Sequence, residues 1–338
     1  MANEYLYGAY GHIGETVAQS AVQAGTTPVY IGTAPVNLVR GFGKAGVINA
    51  PIKITSLVDA QKKLGYAADW GTFTLCEVMY AHFNNTLGNI GPIYVINVLD
   101  PSEGKHRKEE ATTKTLAFTG ERSKVYWPQG VDNLGNVYHL STMAVVELMR
   151  ADFSHNSVPM ETCGNKAIPI IKQYFGANAN NRGFDQQTGK ELTQNGISTA
   201  VAWGGEWVLW GDHTAAYTYG ADVDPRAIFD VSMRMLMHIT NSFQREWSPE
   251  IDSPMTRALK DRIINREQEK LDGYVSMGAL LGEPVILFLE SENSTTDVMN
   301  GDFRWDIAVT PTPPLKSASV YVAYTDAGFS VYYEGGDE

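Results

Sequence analysis

The chain has 338 residues, 43% hydrophobic and 19% charged, which excludes a disordered chain and allows one large core or two modest ones. A formal net charge of −12 and a pI near 5.1 exclude a primary nucleic-acid surface, since phosphate binding depends on clustered cations; the densest cluster, Lys105-His106-Arg107-Lys108, runs straight into Glu109-Glu110 and reads as a solvated loop. Cys76 and Cys163 form no CxxC pair, no HExxH or HxH spacing occurs, and neither a signal peptide nor a membrane-length apolar run is read, so the expectation is no disulfide framework, no metal, no membrane insertion and folding in a reducing cytoplasm.

Residues 1–27 hold no Lys or Arg and read as an extension: a strand at Glu4-Tyr5-Leu6-Tyr7, then a pliant glycine-bearing tether. The run 28–33 reads as the first core strand, closed by Gly32. Ser56 is a candidate N-cap for a helix over 56–64 stopped by Gly65, and Phe73, Cys76, Met79, Tyr80 and Phe83 are spaced for a second helix over 72–83. A buried strand is expected at 93–99, further strands at 115–118 and 124–127, and a helix over 141–152 with Val145, Leu148 and Met149 inward. Helices alternating with apolar strands make this part α/β. The stretch 178–195, rich in Asn, Gln and Gly, reads as turns and as a domain boundary.

Asp224-Pro225 supplies an N-cap and a first-turn proline for a helix carrying Ile228, Val231, Met235, Ile239 and Phe243 toward Trp247. Ser253-Pro254 repeats the device for a helix ending near Gly273. Strands are expected at 285–289, 303–309 and 318–324, the last two alternating with a period of two, so this part is an α+β module. The end, Gly328-Phe329-Ser330-Val331-Tyr332-Tyr333-Glu334, is again strand-like behind the turn Asp326-Ala327-Gly328. A terminal strand on a tether either docks on its own sheet or pairs with another subunit.

Gly8-Ala9-Tyr10-Gly11-His12-Ile13-Gly14 has the spacing of a dinucleotide-binding turn, and the alternative it raises is an NAD(P)-dependent reductase of the short-chain type. No acidic residue closes the strand after it to bind a ribose, and no tyrosine has a lysine four residues on, the pair such reductases use. Gly183 to Lys190 carries one residue too many between its glycines for a phosphate loop, and Glu191 stands where Ser or Thr would bind magnesium. Asp152, His155 and Cys163 lie within a dozen residues without the geometry a triad requires. No cofactor or catalytic residue is assigned.

Asn195-Gly196-Ile197-Ser198-Thr199-Ala200 followed by Trp207-Val208-Leu209-Trp210-Gly211-Asp212-His213-Thr214-Ala215 resembles the "N-G-I … V-W-G-x-x-T" run of contractile tail sheath proteins of phages and phage-derived bacteriocins. In the same order, Tyr126-Trp127-Pro128 resembles that family's aromatic-proline turn, and Met149-Arg150-Ala151-Asp152 the end of its "S … A-x-x-x-A-R-x-D" helix. Asn293 to Asp297, Gly301-Asp302-Phe303 and Pro311 to Leu315 resemble its "N-x-x-x-D … G-x-L/F … P-x-x-P" sequence. The resemblance covers roughly 28–338. His213 departs from it, standing where arginine is common, and the chain is short of the large outer insertions of bigger sheaths.

The resemblance implies a tail-sheath-like two-part core, α/β plus α+β, with strand-exchanging extensions: 1–27 the N-terminal extension, 28–194 the α/β outer part, 195–326 the C-terminal α+β sheath domain and 327–338 the C-terminal extension strand. It implies a non-enzymatic subunit in hexameric rings of a helical lattice around a tail tube, meeting baseplate and tail terminator proteins, in a virion tail or phage-tail-like particle assembled in the bacterial host cytoplasm. Expected inter-subunit strand residues are Tyr5, Leu6, Tyr7, Phe329, Val331, Tyr332 and Tyr333. Expected hinges are Gly8, Gly11, Gly14, Gly25 and Gly328, and Lys260, Arg262, Arg266 and Lys270 form the candidate tube contact.

Overall fold

A computed structural model describes residues 22–23, 27–39, 48–83, 90–98, 120–175 and 186–332. The strands expected at 4–7 and 115–118 lie outside them. Two short strands, β1 (Val22–Gln23) and β4 (Ile90–Gly91), pair in parallel. A larger sheet joins β2 (Val29–Gly32), β3 (Pro51–Ile54) and β5 (Ile93–Asn97), with β5 central, parallel to β2 and antiparallel to β3.

Alternation explains which face is covered. Tyr30, Ile52, Ile54, Ile93 and Val95 pack under helices α1 (Leu57–Leu64) and α2 (Thr74–Phe83), while Val29 and Ile31 on the other face are exposed. α1 starts and stops where its local chemistry dictates. The Ser56 hydroxyl accepts from Asp59 N–H at 3.1 Å, and Gly65 turns with φ +76°, where a Cβ would stand 2.4 Å from the Pro35 carbonyl oxygen.

α2 is buried on nearly every side because it lies between the first core and a second. Leu75, Val78 and Met79 belong to the first; Ala81 joins Tyr138, Leu140, Met143, Met149, Cys163, Ala200 and Leu209 in the second. The second core holds α3 (Leu140–Ser154), the sheet β8-β7-β9 built from β7 (Gln129–Val131), β8 (Val137–His139) and β9 (Lys172–Tyr174), and the sheet β11-β10-β6 built from β6 (Val125–Tyr126), β10 (Ile197–Trp203) and β11 (Glu206–Trp210). The boundary expected at 194/195 therefore falls inside a core, since Ala200 and Leu209 pack with residues of α3.

Within 178–195 the structure corrects the reading of turns alone: Gln186–Thr193 is a helix, α4, lying on β10. Its Gly189 lowers helix propensity but permits close approach, since a Cβ there would come within 2.9 Å of Val201 Cγ1.

A third core forms from α5 (Asp230–Trp247), α6 (Arg257–Ser276), β12 (Leu280–Leu287) and β13 (Asp306–Pro311). Both helix starts differ from expectation. Asp224 caps only the 3-10 turn Pro225–Ala227, and α5 begins at Asp230; α6 begins after Thr256, whose hydroxyl accepts from Leu259 N–H at 3.1 Å. A short α7 (Thr295–Asn300) opens on a capping box between Ser294 and Asp297.

Two buried ion pairs one helical turn apart fasten α5 to the second core. Lys124 Nζ meets Asp230 Oδ2 at 2.5 Å, and Arg234 meets Asp152 of α3. Removing one member of such a pair strands the other charge out of water, which costs about 3–5 kcal/mol.

His82 lies fully buried between the first two cores, its Nε2 2.7 Å from the Tyr30 hydroxyl and its Nδ1 3.1 Å from the Ile90 carbonyl oxygen. Burial pulls its pKa down to about 4. The unfolded chain therefore takes up this proton first on acidification. The histidine's contribution is complete above about pH 6.5 and is lost as pH falls toward 4, amounting to about 3 kcal/mol. Urea titrations of His82→Gln against the parent chain should show a stability difference that shrinks over that interval.

Candidate assembly interface

The last helix and strands present the least complete part of the molecule. α6 ends on Gly278 at φ +82°, and β12 then runs antiparallel to β13, pairing Leu280 with Pro311 and Leu281 with Thr310, and, beyond a bulge at 281–285, Val285 with Ala308 and Leu287 with Asp306. Alternation sends Leu280 and Ile286 into the third core, where Trp305, Ile307 and Val309 join them. The indole of Trp305 packs against Phe243, Phe288 and Phe303, and its buried N–H finds no acceptor among the described residues. Leu281, Val285 and Leu287 are exposed on the other face. Two strands give each only one laddered edge, and a sheet of two is marginal by itself.

Beyond β13 the chain does not form the core strand expected at 318–324. Thr312 still touches the start of β12, donating N–H to Ala279 O at 3.1 Å and its hydroxyl to Gly278 O at 2.7 Å. Lys316 then lies 5.3 Å from the centre of the Tyr217 ring. Val320, Tyr321, Val322 and Tyr324 follow, 84–96% exposed, in a stretch without regular secondary structure. The physical reason is direct: a period of two specifies a strand only when a neighbour completes its ladder, and this chain brings none to 318–324 among the described residues.

The predicted site residues distribute as follows. Phe329, Val331 and Tyr332 lie in a 3-10 turn, Ala327–Tyr332, and not in a strand; all three are exposed, with the rings of Phe329 and Tyr332 stacked 6.3 Å apart. Gly328 sits in that turn with open space around it. Tyr5, Leu6, Tyr7, Gly8, Gly11, Gly14, Gly25 and Tyr333 lie outside the described residues, and the cofactor-turn glycines with them.

The four cations expected at the tube contact do not form an open basic face on α6. Arg262 pairs with Glu250 at 2.6 Å, Arg266 with Glu246 at 2.9 Å, Lys270 with both Glu246 and Glu267 at 2.7 Å, and Lys260 stands 3.4 Å from Asp261 and over the Phe288 ring. The hydrogen bond from Lys270, with that from Arg266, holds the Glu246 carboxyl below its ordinary value. Arg262 and Arg266 nonetheless keep more than half of their side-chain surface in solvent.

Sequence reasoning missed Glu77, a buried carboxylate on α2. It accepts from His139 N–H at 2.7 Å and from the Thr142 hydroxyl at 2.9 Å, thereby capping α3, and it meets His139 Nδ1 at 2.7 Å. That hydrogen bond raises the His139 pKa above its ordinary value. The available signal was a charge between Cys76 and Val78 on an otherwise apolar helix. A cavity of about 180 Å³ beside it is lined by Tyr30, Ile31, Glu77, His139, Thr142 and Val145, but its carboxylate is committed to the cap. Among the described residues no group of three His, Cys, Asp or Glu is placed to hold a metal, and no helix is long and apolar enough to cross a membrane.

No family model matches the chain. A major tail sheath protein of Serratia phage KSP20 is 26% identical over 232 residues, covering 67% of this chain and 55% of that protein. The chain thus spans little more than half the length of this curated relative. It is similar in fold to a chain of the anti-feeding prophage baseplate, with a TM-score of 0.69 at 12% identity over 95% of this chain and 99% of that one. The chain resembles tail sheath proteins in sequence and fold.

The sheath fold recurs in the sheath complex, in its contracted state, of the PVC extracellular contractile injection system, with a TM-score of 0.65 at 13% identity over 97% of this chain and 100% of that one. It recurs again in the sheath tail protein Lin1278 of Listeria innocua, at 0.54 and 10% identity over 88% and 96%. In the isolated sheath-like chain, limited chymotrypsin digestion should cut first at Tyr321 and Tyr324, and mass spectrometry should find the fragment through β13 intact. Initial cleavage within α5 or α6 would contradict the exposed course of residues 313–325.

Proposed function

We propose that this protein is the structural subunit of a contractile sheath, stacking as hexameric rings around a tail tube and contracting to drive that tube through a target cell envelope. The observation that carries the reading is the pairing of two incomplete parts in one sheath-fold chain: a two-stranded sheet with an open edge, and an exposed apolar arm beyond Thr312 that has no ladder among the described residues. Each copy lends its arms to neighbours, the N-terminal one around Tyr5-Leu6-Tyr7 and the C-terminal one including Phe329, Val331, Tyr332 and Tyr333, and β12 and β13 receive them. Head-to-tail exchange of this kind does not close on itself and builds an open lattice.

Main-chain ladders hold the mesh while glycines at 8, 11, 14, 25 and 328 let the bodies rotate without disconnecting. Contraction is then a switch between two packings of rigid bodies, with the work divided over many subunits. No step of this requires catalysis, a cofactor or a metal. The particle meets baseplate and terminator proteins at its ends and is assembled in the bacterial host cytoplasm.

Electron microscopy of the purified full-length chain is the deciding experiment, and long striated tubes are the expected result. Removing residues 313–338 should leave a soluble body with an unchanged melting transition that forms no tubes. Tubes of normal length from that truncated chain would refute strand exchange through the C-terminal arm.

The residues 195–326 face the tube in this reading, and α6 makes the contact through Lys260, Arg262, Arg266 and Lys270. Their intramolecular carboxylates have to be shared with or exchanged for the tube's, so the effect centres on the two most exposed, Arg262 and Arg266. Arg262→Glu with Arg266→Glu should abolish co-sedimentation with tubes while leaving the melting temperature within a few degrees. Undiminished co-sedimentation would remove α6 from the contact.

A further inference from the structure

The two edges of the C-terminal sheet are not equivalent. Ile286 N–H points away from β13 and donates to Gln268 Oε1 at 3.3 Å, while the Pro284 carbonyl oxygen accepts from Gln268 Nε2 at 2.9 Å. One amide that meets an acceptor at one residue and a donor two residues on reproduces the bonding of a residue on a parallel neighbouring strand. The Gln268 side chain thus stands where a peptide group of a third strand would stand. Asp272, one turn along α6, accepts from the same Nε2 at 2.9 Å and fixes which way the amide faces.

The same edge carries further obstacles to pairing. Register shifts between Leu281 and Val285, Gly282 lies at φ +77°, and Pro284 has no N–H to give. On the opposite edge β13 runs from Asp306 to Thr310 without a bulge, and a proline stands only at its last position, Pro311. Because Ile286 faces Ile307 and its own N–H is directed outward, that pair is a non-hydrogen-bonded one. Alternation then directs the N–H and C=O of Ile307, and of Val309 two residues on, away from β12.

We propose that Gln268 acts as a strand mimic that closes the outer edge of β12, so that a strand from a second copy of this chain adds along β13 at Ile307 and Val309. The occupant is a second copy because the chain carries its own alternating apolar segment, Val320 to Tyr324, and directs it away past Tyr217. Addition at β12 would first have to expel an amide held at three points; addition at β13 displaces no hydrogen-bond partner among the described residues. The proposal deepens the sheath reading and rests on it for the identity of the incoming strand.

Hydrogen exchange resolved to single amides tests it on the full-length chain. Before assembly, Ile286 should exchange about 10-fold or more slowly than Ile307 and Val309. Gln268→Leu should abolish that difference while the far-UV circular dichroism is unchanged. Gln268→Glu, which keeps an acceptor for Ile286 but loses the donor toward Pro284, should fall between. On assembly of the parent chain, Ile307 and Val309 should become protected by about 10-fold or more. An Ile286 amide equally slow in Gln268→Leu and parent overturns the mimic, and assembled particles in which Ile307 and Val309 stay fast overturn the edge assignment. A chain that never assembles counts against the sheath reading, and the Gln268 comparison in the unassembled chain still decides the mimic.

Discussion

Main-chain hydrogen bonds along a strand come in two rows, and β12 and β13 can satisfy only one row each by pairing with one another. The other row must find water, a side chain or a second chain. On β12 it finds the Gln268 amide; on β13 it is left at Ile307 and Val309. The arm beyond Thr312 has the converse need, since Val320, Val322 and Tyr324 recur at every second residue as in a strand and, with Tyr321, are almost wholly exposed. Donor rows and an apolar arm of matching period in one chain are complementary between copies, even though the arm does not fold back on its own sheet.

A subunit held by its arms has to carry force across its body, and the packing between cores is suited to that. α2 belongs to two cores at once, and its Glu77 caps α3 across their junction. Asp230 and Arg234, one turn apart on α5, each engage a charge from the second core, Lys124 and Asp152. Buried pairs of this kind contribute little net stability against an apolar alternative, yet they penalise any relative displacement of the elements they join, because a shift separates charges that water cannot reach. The linkage stiffens the body, which is what the proposed sheath requires of it.

The sequence made local features legible and distant ones opaque. Ser56 and Gly65 bound α1 through contacts with residues three or four away, and both were readable. α4 was hidden because Gly189, which argues against a helix by propensity, is there for its contact with Val201. Lys124 and Asp230 are 106 residues apart, so nothing in either neighbourhood announces the pair. The cations of α6 were visible as a charged face, whereas Glu246 and Glu250, which pair with Arg262, Arg266 and Lys270, come from α5 and the turn after it. The pattern at 318–324 did not give the expected core strand, since periodicity specifies a strand only where a neighbour completes its ladder, and the sequence does not say whether this chain brings one.

Net charge bears on the same asymmetry. Copies carrying −12 repel one another at long range, and Arg262, Arg266 and Lys270 of α6 are already paired with carboxylates within the chain, so in the proposed lattice net charge opposes association. Association then has to be driven by short-range terms, the ladder and the apolar side chains, which act only when register is met. An unguarded edge would accept strands in several registers. A bulge, a proline and a borrowed amide on β12 remove that freedom from one edge, and in the proposed lattice the short edge of β13 is what remains for a correctly aligned arm.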